Sequence, residues 1–422
     1  MRPEKRLAVV GLGYVGLPLA VALAKHFDVI GYDADRRRVA DLRGGIDRSA
    51  AVTPSALAST RLEVTSDEAR LAGADIFFIA VPTVLDAKRS PDLSVVKQAT
   101  ALVARHIMRG GIFVLESSVA PGTTESVCAP ILAAQSGLGP GQDFFLAYSP
   151  ERVNPGDDEH TVERITKIVA AQSPEIAAEL ARIYGKVTGG KVFIAKNIKT
   201  AEAAKLFENI QRDVNIAYVN EAAMIFNRMG ISIHDVIDAA KTKWNALGFR
   251  PGLVGGHCIS VNPYYLAEAA RASGFEPHFF MKAREINDGF ARYVSGEVAR
   301  RVAPASRILV LGLAFKEDVG DTKETLVIDI VRSLAAAGHK VEVHDPLASA
   351  EEVSYRFALR LLPSLDKAGS FHAVLGAVAH RAYRAMTREA LVALLQPGAL
   401  VADIKGMWRA LELPPEYRRW TL

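Results

Sequence analysis

Cysteine is almost absent. The chain holds two, Cys128 and Cys258, which excludes a disulfide framework and makes a reducing cytoplasm the expected compartment. Long apolar runs are missing as well. Met1-Arg2-Pro3-Glu4-Lys5-Arg6 leads straight into a short apolar strand. No signal-peptide core follows, and no uninterrupted apolar stretch reaches bilayer-spanning length, so no membrane partner is expected. Charge of one sign is scarce: 51 basic against 47 acidic residues leave a formal +4. With no long basic run, nucleic acid is not an expected partner, although the mild excess favours an anionic small molecule. Low-complexity segments are lacking too. What remains is 422 residues, half of them hydrophobic and 23% charged, which suits a globular protein of two or three domains.

The most informative glycines come first. Leu7-Ala8-Val9-Val10 reads as a buried strand, Gly11-Leu12-Gly13-Tyr14-Val15-Gly16 as a turn, residues 17–26 as a helix, and Val29-Ile30-Gly31-Tyr32 as a second strand ending at Asp33. Strand, GxGxxG, helix, strand and acid is a dinucleotide-binding pattern. The glycines let backbone approach a pyrophosphate seated on a helix N-terminus, and the acid accepts from ribose hydroxyls. Asp33 would repel a 2′-phosphate and so favours NAD over NADP; Arg36, Arg37 and Arg38, close behind it, pull the other way. Further apolar strands end at Pro82-Thr83, at Ser117-Ser118 and at Ser149-Pro150-Glu151-Arg152. The carboxyl ends of strands are where open α/β sheets bind ligands, so Thr83, Ser118 and Glu151 are candidate site residues.

From about Thr200 the pattern becomes helical. Residues 201–228 form one long amphipathic segment, with Lys205 and Asn209 at i and i+4 on one face. Shorter helices follow over 233–241, 265–273 and 282–301. At Arg307 strand–helix alternation resumes without GxGxxG: strands near 308–313, 340–346, 373–378 and 400–404, and a helix over 323–337. Between the two α/β halves stands Gly252-Leu253-Val254-Gly255-Gly256-His257-Cys258. Glycines at this density present the thiol to a site, and a nucleophilic cysteine needs a cation nearby; the alternative is a buried structural thiol in a turn.

Taken together, the chain resembles the UDP-glucose/GDP-mannose dehydrogenase family over nearly its whole length. The resemblance rests on VGLGYVGLPLA, VPT at 81–83, PGTTE at 121–125, YSPER-NPGD at 148–157, the Lys205/Asn209 helix, GGHC at 255–258 and GLAFKED at 312–318. KTKWN followed by FRPGLVGGHCI is similar to the bacterial branch that acts on UDP-N-acetylhexosamines for O-antigen and capsule. The implied architecture is two Rossmann-like doubly wound α/β domains joined by a long central helix and a helical dimerisation domain. Its boundaries would be 1–198 for NAD, 199–303 for the catalytic helical part, and 304–422 for the UDP-sugar. The implied reaction is a four-electron oxidation of the sugar C6 alcohol using two NAD⁺, in a homodimer, with no metal.

The resemblance also implies roles. Cys258 forms a thiohemiacetal and then a thioester, Lys205 stabilises the oxyanion, Asn209 fixes a water or the oxyanion, and Glu151 orients or activates water. Ser118 stands where the family usually has threonine. Arg250 reaches the partner subunit's sugar site, and Lys316, beside Phe315, meets the sugar or diphosphate. Arg152, Gly255, Gly256 and Lys323 complete the expected substrate contacts. Gly11, Gly13, Tyr14, Val15, Gly16, Asp33, Arg38, Pro82, Thr83 and Ser118 are the expected cofactor contacts. Three positions depart from the family pattern: Asn262 replaces an aspartate, Ser260 a glycine, and Lys323 an arginine, losing the bidentate fork. The same reaction on UDP-glucose or UDP-ManNAc, an impaired nucleotide-sugar-binding homologue, and a two-electron hydroxyacid dehydrogenase are the competing readings.

Overall fold

The computed structural model describes residues 5–49, 51–152, 161–256, 259–366 and 368–422; His257 and Cys258 lie outside the described residues. By packing, the chain divides into two compact units, Met1–Asn209 with Tyr264–Glu276, and Ile210–Pro263 with Pro277–Leu422. The expected helical segment 199–303 is therefore shared between them.

In the first unit, eight of the described strands form one sheet. They are β1 (Arg6–Val10), β2 (Asp28–Tyr32), β3 (Glu63–Thr65), β4 (Ile76–Ile79), β5 (Gly111–Leu115), β6 (Phe144–Tyr148), β7 (Lys167–Ala171) and β8 (Val192–Ile194). Their order is β8-β7-β6-β5-β4-β1-β2-β3. All pairs are parallel except β6 with β7. Both faces are covered, which is why β1, β4 and β5 read as unbroken apolar runs. Leu7, Val9, Ile76, Phe78, Ile112 and Val114 enter one core. Their alternating neighbours Ala8, Val10, Phe77, Ile79, Phe113 and Leu115 enter the other. The order in which successive strands join the sheet reverses between the parallel neighbours β1 and β4, so the carboxyl ends of these strands define a switch-point crevice, and the GxGxxG turn leaves β1 there.

In the second unit, five described strands form a parallel sheet: β9 (Arg307–Leu311), β10 (Lys340–His344), β11 (Phe371–Gly376), β12 (Leu395–Asp403) and β13 (Arg418–Thr421). The order is β10-β9-β11-β12-β13, a doubly wound arrangement with its switch point between β9 and β11. The helix expected from residue 323 begins later, at Val327–Ala336. Glu324 stands at φ +53°, a left-handed conformation no helix continues through, and the Thr325 hydroxyl accepts from the Val327 N–H at 3.2 Å.

The long helix spans Ile198–Arg228, three residues earlier than its apolar pattern suggests. Asn197 Oδ1 accepts from the Thr200 N–H at 2.8 Å, so its side chain serves an otherwise unpaired first-turn donor. Among the described residues no helix is long and apolar enough to cross a membrane.

Candidate active site

The glycine turn of the first unit is built for close approach. Gly11 has φ +94°, and a Cβ there would lie 2.7 Å from the Ala80 carbonyl oxygen; at Gly16 a Cβ would lie 1.9 Å from the Gly11 oxygen. Neither position accepts a side chain. A Cβ on Gly13, by contrast, would meet nothing within 4 Å, so its emptiness serves no packing need and leaves room for a ligand. Tyr14 and Val15 are half-buried beside it. Asp33 is fixed by backbone: Oδ2 accepts from the Leu12 N–H at 2.8 Å and Oδ1 from the Asp35 N–H at 2.9 Å. A carboxylate offers about four lone-pair sites, which leaves acceptor capacity for ribose hydroxyls. Arg38 turns back on the same loop. Its Nε donates to the Leu12 oxygen at 3.0 Å, and its guanidinium pairs with Asp47 at 2.7 Å. These residues fit a dinucleotide with free ribose hydroxyls. Pro82 is exposed, Thr83 buried and Ser118 half-buried, each just past the carboxyl end of β4 or β5.

Deeper in this unit lies a buried ion cluster that sequence reasoning missed. Lys167 Nζ sits 2.5 Å from Glu116 Oε2 and 2.7 Å from Glu151 Oε2. All three side chains are at most 3% exposed. The Tyr184 hydroxyl donates to Glu116 Oε1, and the Arg152 N–H donates to Glu151 Oε1 at 2.6 Å. Burial raises Glu116 above the usual carboxylate range. At Glu151 burial acts the same way, but the Lys167 ammonium, the Arg152 N–H and the charge of Lys205 outweigh it and hold the group low. Both Glu151 oxygens thus receive donors, an arrangement different from the expected water-activating base: a carboxylate held this low accepts a proton poorly. The Glu151 main-chain oxygen accepts from Lys205 Nζ. The Arg152 side chain pairs with Glu208.

Lys205 and Asn209, read as a face of the long helix, are 6% and 0% exposed. Neither polar atom of the Asn209 amide has a hydrogen-bond partner among the described residues. A buried amide left so is costly and calls for a ligand or water. One turn earlier, Glu202 accepts from the Thr124 N–H at 2.9 Å, from the Thr124 hydroxyl at 2.6 Å and from the Gly122 N–H. It fastens the turn after Ser118 to the helix that carries Lys205. Nothing in a single helix pattern marks Glu202. By contrast, Glu116 and Lys167, single charges ending or opening apolar strands, were a readable signal.

In the second unit the glycine loop is pinned at both ends. Asn220 grips the Gly252 peptide, accepting from its N–H at 2.9 Å and donating to its oxygen at 3.0 Å. Asn220 also donates to Asn287, which donates to Asp213, and Asp213 pairs with the buried Arg284. At the other end the Gly256 N–H donates to the Glu324 oxygen at 3.2 Å. A Cβ on Gly255 would stand 2.3 Å from that oxygen, and one on Gly256 3.0 Å from the Phe315 ring. A cavity at the switch point is lined by Leu253, Phe315, Lys316, Glu317, Val378 and Lys405, with Lys405 and Glu317 paired at 3.1 Å. Arg250 donates to Asp238 at 3.0 Å. Lys323 is exposed. Asn262 is 1% exposed, and its amide too has no partner among the described residues.

The second unit repeats the strand-end acid of the first, to a different end. Asp345 follows β10 as Asp33 follows β2. Its Oδ2 accepts from the Leu313 and Ala314 N–H groups and from His380 Nε2, and its Oδ1 from the Leu347 and Ala348 N–H groups. His380 Nδ1 accepts from the Asp318 N–H at 2.9 Å, which puts the ring proton on Nε2. Although burial opposes it, this set of donors holds Asp345 far below the usual range. Cys128 is buried in the first unit, where burial pushes its thiol up to about 11, an inert group.

Fold and site together define a dinucleotide-dependent oxidoreductase with a second, non-dinucleotide ligand domain. Residues 5–188 match the NAD binding domain of the UDP-glucose/GDP-mannose dehydrogenase family, residues 199–289 its central domain and residues 309–410 its UDP binding domain. The chain is 42% identical to a UDP-N-acetyl-D-glucosamine 6-dehydrogenase of Pseudomonas aeruginosa, over 95% of this chain and 97% of that one. It is 39% identical to one of Salmonella typhi, over 95% and 96%. The solved UDP-D-ManNAc dehydrogenase of Pyrococcus horikoshii superposes with a TM-score of 0.86 at 30% identity, covering 98% of each chain. The chain therefore belongs to the UDP-glucose/GDP-mannose dehydrogenase family and is an NAD-dependent nucleotide-sugar dehydrogenase.

Proposed function

We propose that this enzyme oxidises C6 of a UDP-N-acetylhexosamine, UDP-GlcNAc or UDP-GalNAc, to the uronic acid for surface polysaccharide such as O-antigen or capsule. The observation that carries this reading is the buried Lys205 beside the partnerless amide of Asn209, one helical turn apart, in a chain whose glycine loop leads to Cys258. A two-electron alcohol dehydrogenase has no use for that cysteine. The identities of 42% and 39% to UDP-GlcNAc enzymes, against 33% to a UDP-ManNAc dehydrogenase, favour UDP-GlcNAc over UDP-ManNAc.

Bound between the glycine turn and Asp33, NAD⁺ supplies the hydride acceptor. The residues of the chain do the rest. The Cys258 thiolate adds to the C6 aldehyde left by the first oxidation, giving a thiohemiacetal; the second oxidation leaves a thioester. Water then adds to the thioester carbon, the thiolate departs, and the carboxylate is released. At each stage negative charge gathers on the C6 oxygen, and the Lys205 ammonium and Asn209 amide are donors suited to meet it. Glu151, ionised, is suited to orienting the water. The cavity beside Phe315 and Lys316 takes the UDP moiety, with Arg250 serving a neighbouring subunit. The active unit is a homodimer built on the long helix. Phe207, Tyr218 and Ile225 are exposed apolar residues at spacings that fall on one stripe of that helix, the pattern of a face awaiting a partner.

A panel of UDP-sugars with NAD⁺, followed by absorbance and mass spectrometry, tests the reading. The expected outcome is two NADH per uronate with UDP-GlcNAc or UDP-GalNAc. Turnover confined to UDP-glucose or UDP-ManNAc refutes the sugar assignment. One NADH per substrate refutes the thioester route, and none at all with any sugar leaves a binding protein.

A further inference from the structure

Of the cluster of Glu116, Lys167 and Glu151, only Glu151 has a part in the chemistry above, yet all three side chains are buried in the first unit. Removing three charged groups from water is costly even after relaxation, and well-packed apolar side chains of the same volume often do as well or better. Packing alone therefore does not account for it. Its members come from separate elements. Glu116 follows β5, Glu151 lies three residues beyond β6, Lys167 opens β7, and Tyr184 sits on the helix Pro174–Val187. Lys167 bridges the two carboxylates, with its ammonium 5.2 Å from the centre of the Tyr184 ring. Tyr184 takes the remaining side of Glu116. The consequence appears at Glu151. Its side chain is clamped by Lys167 and the Arg152 N–H, so its main-chain oxygen is held in one place, and that oxygen receives Lys205 Nζ.

We propose that Lys167, together with Glu116, is a positioning residue for Lys205: it anchors the Glu151 side chain so that the Glu151 carbonyl holds the Lys205 ammonium where the reaction needs it. The cluster also balances charge. Two carboxylates face two ammonium groups, Lys167 within the cluster and Lys205 at its edge. The cluster thus supplies counter-charge to Lys205. The proposal rests on the role given to Lys205 in the proposed reaction, but its test does not depend on the sugar.

The test uses Lys167→Met and the charge-balanced pair Glu116→Gln/Lys167→Met in the full-length protein. Lys205 is acetylated with acetic anhydride in the absence of sugar and NAD⁺, and its labelling is measured by mass spectrometry relative to the exposed Lys243. Turnover and thermal transitions are measured in parallel. Lys167→Met strands two carboxylates and is expected to lose stability. The pair removes one charge of each sign and is expected to fold with a transition near that of the unmodified protein. In the pair, Lys205 labelling should rise several-fold. Its kcat should fall about 100-fold, the scale on which a misplacement of about 1 Å acts, while KM for the UDP-sugar stays within a few-fold. A pair that fails to fold, or that folds with unchanged Lys205 labelling and turnover, makes the cluster a structural ion network only and overturns the proposal. Raised labelling in an enzyme whose unmodified form oxidises no UDP-sugar would leave the positioning intact and refute the function instead.

Discussion

Replacing Gly255 by alanine probes the loop that leads to Cys258. The added Cβ would stand 2.3 Å from the Glu324 carbonyl oxygen, 3.4 Å from its carbonyl carbon and 3.5 Å from Thr325 Cα. Weak C–H···O contacts in proteins sit near 3.3–3.6 Å, so the gap must open by about 1 Å. Every one of those atoms is main chain, so no rotamer change relieves the clash. Gly255 does not have a positive φ, which makes the effect steric. The movement also breaks the 3.2 Å bond from the Gly256 N–H to the same oxygen. Overpacking of this kind costs about 1–3 kcal/mol, and the lost hydrogen bond about 0.5–1.5 kcal/mol. At roughly 2–4 °C per kcal/mol for a cooperative unit of about 150–250 residues, the transition should fall by about 3–18 °C. Turnover should fall more steeply, by about 100-fold, if the loop carries its displacement to the thiol. Scanning fluorimetry and NADH release measure the two effects. Gly296→Ala is the control, because a Cβ there meets nothing within 4 Å and its helix should gain up to about 1 kcal/mol. An unchanged transition and full turnover in Gly255→Ala would refute the close approach and the reasoning built on it.

Cys258→Ala should abolish uronate formation while Cys128→Ala, a buried thiol with its pKa pushed up, changes turnover little; normal uronate yield from Cys258→Ala removes the thioester route. Asp33→Ala should raise KM for NAD⁺ more than KM for the UDP-sugar, and equal or better turnover of the unmodified enzyme with NADP⁺ would contradict the ribose assignment. Asn262→Asp supplies a proton acceptor at a buried position whose amide has no partner among the described residues. Steady-state kinetics across pH should then show kcat raised by up to about 100-fold, the lower range of general-base assistance. An unchanged or lower kcat makes the asparagine an accommodated difference.

The dinucleotide half of the site was readable because it is local: strand, three glycines, helix, strand and acid lie within the first 33 residues, and the fold keeps them adjacent. Lys205 and Asn209 were readable from helical spacing, though spacing alone predicts a solvated pair, and only the surrounding structure buries them. What escaped was non-local. The Glu116–Lys167–Glu151 cluster joins three strand ends more than 50 residues apart in sequence at its extremes, and no window contains it. Glu202 acts on a turn 78 residues away. The late start of the helix Val327–Ala336 follows from one left-handed residue, Glu324, a type that rarely adopts that conformation and gives no warning of it.

Asp33 and Asp345 end equivalent strands, yet only one has acceptor capacity to spare. Asp33 takes two backbone bonds, whereas five donors converge on Asp345. Among the described residues each chain thus has a single docking point of this kind for a ribose. On the proposed four-electron route, the oxidation would then run as two visits to one berth, with the berth vacated and refilled in between. Over that interval the half-oxidised sugar has to outlast an exchange in solution, so its residence time, more than the speed of either oxidation, decides whether the acid or a reactive aldehyde leaves the enzyme.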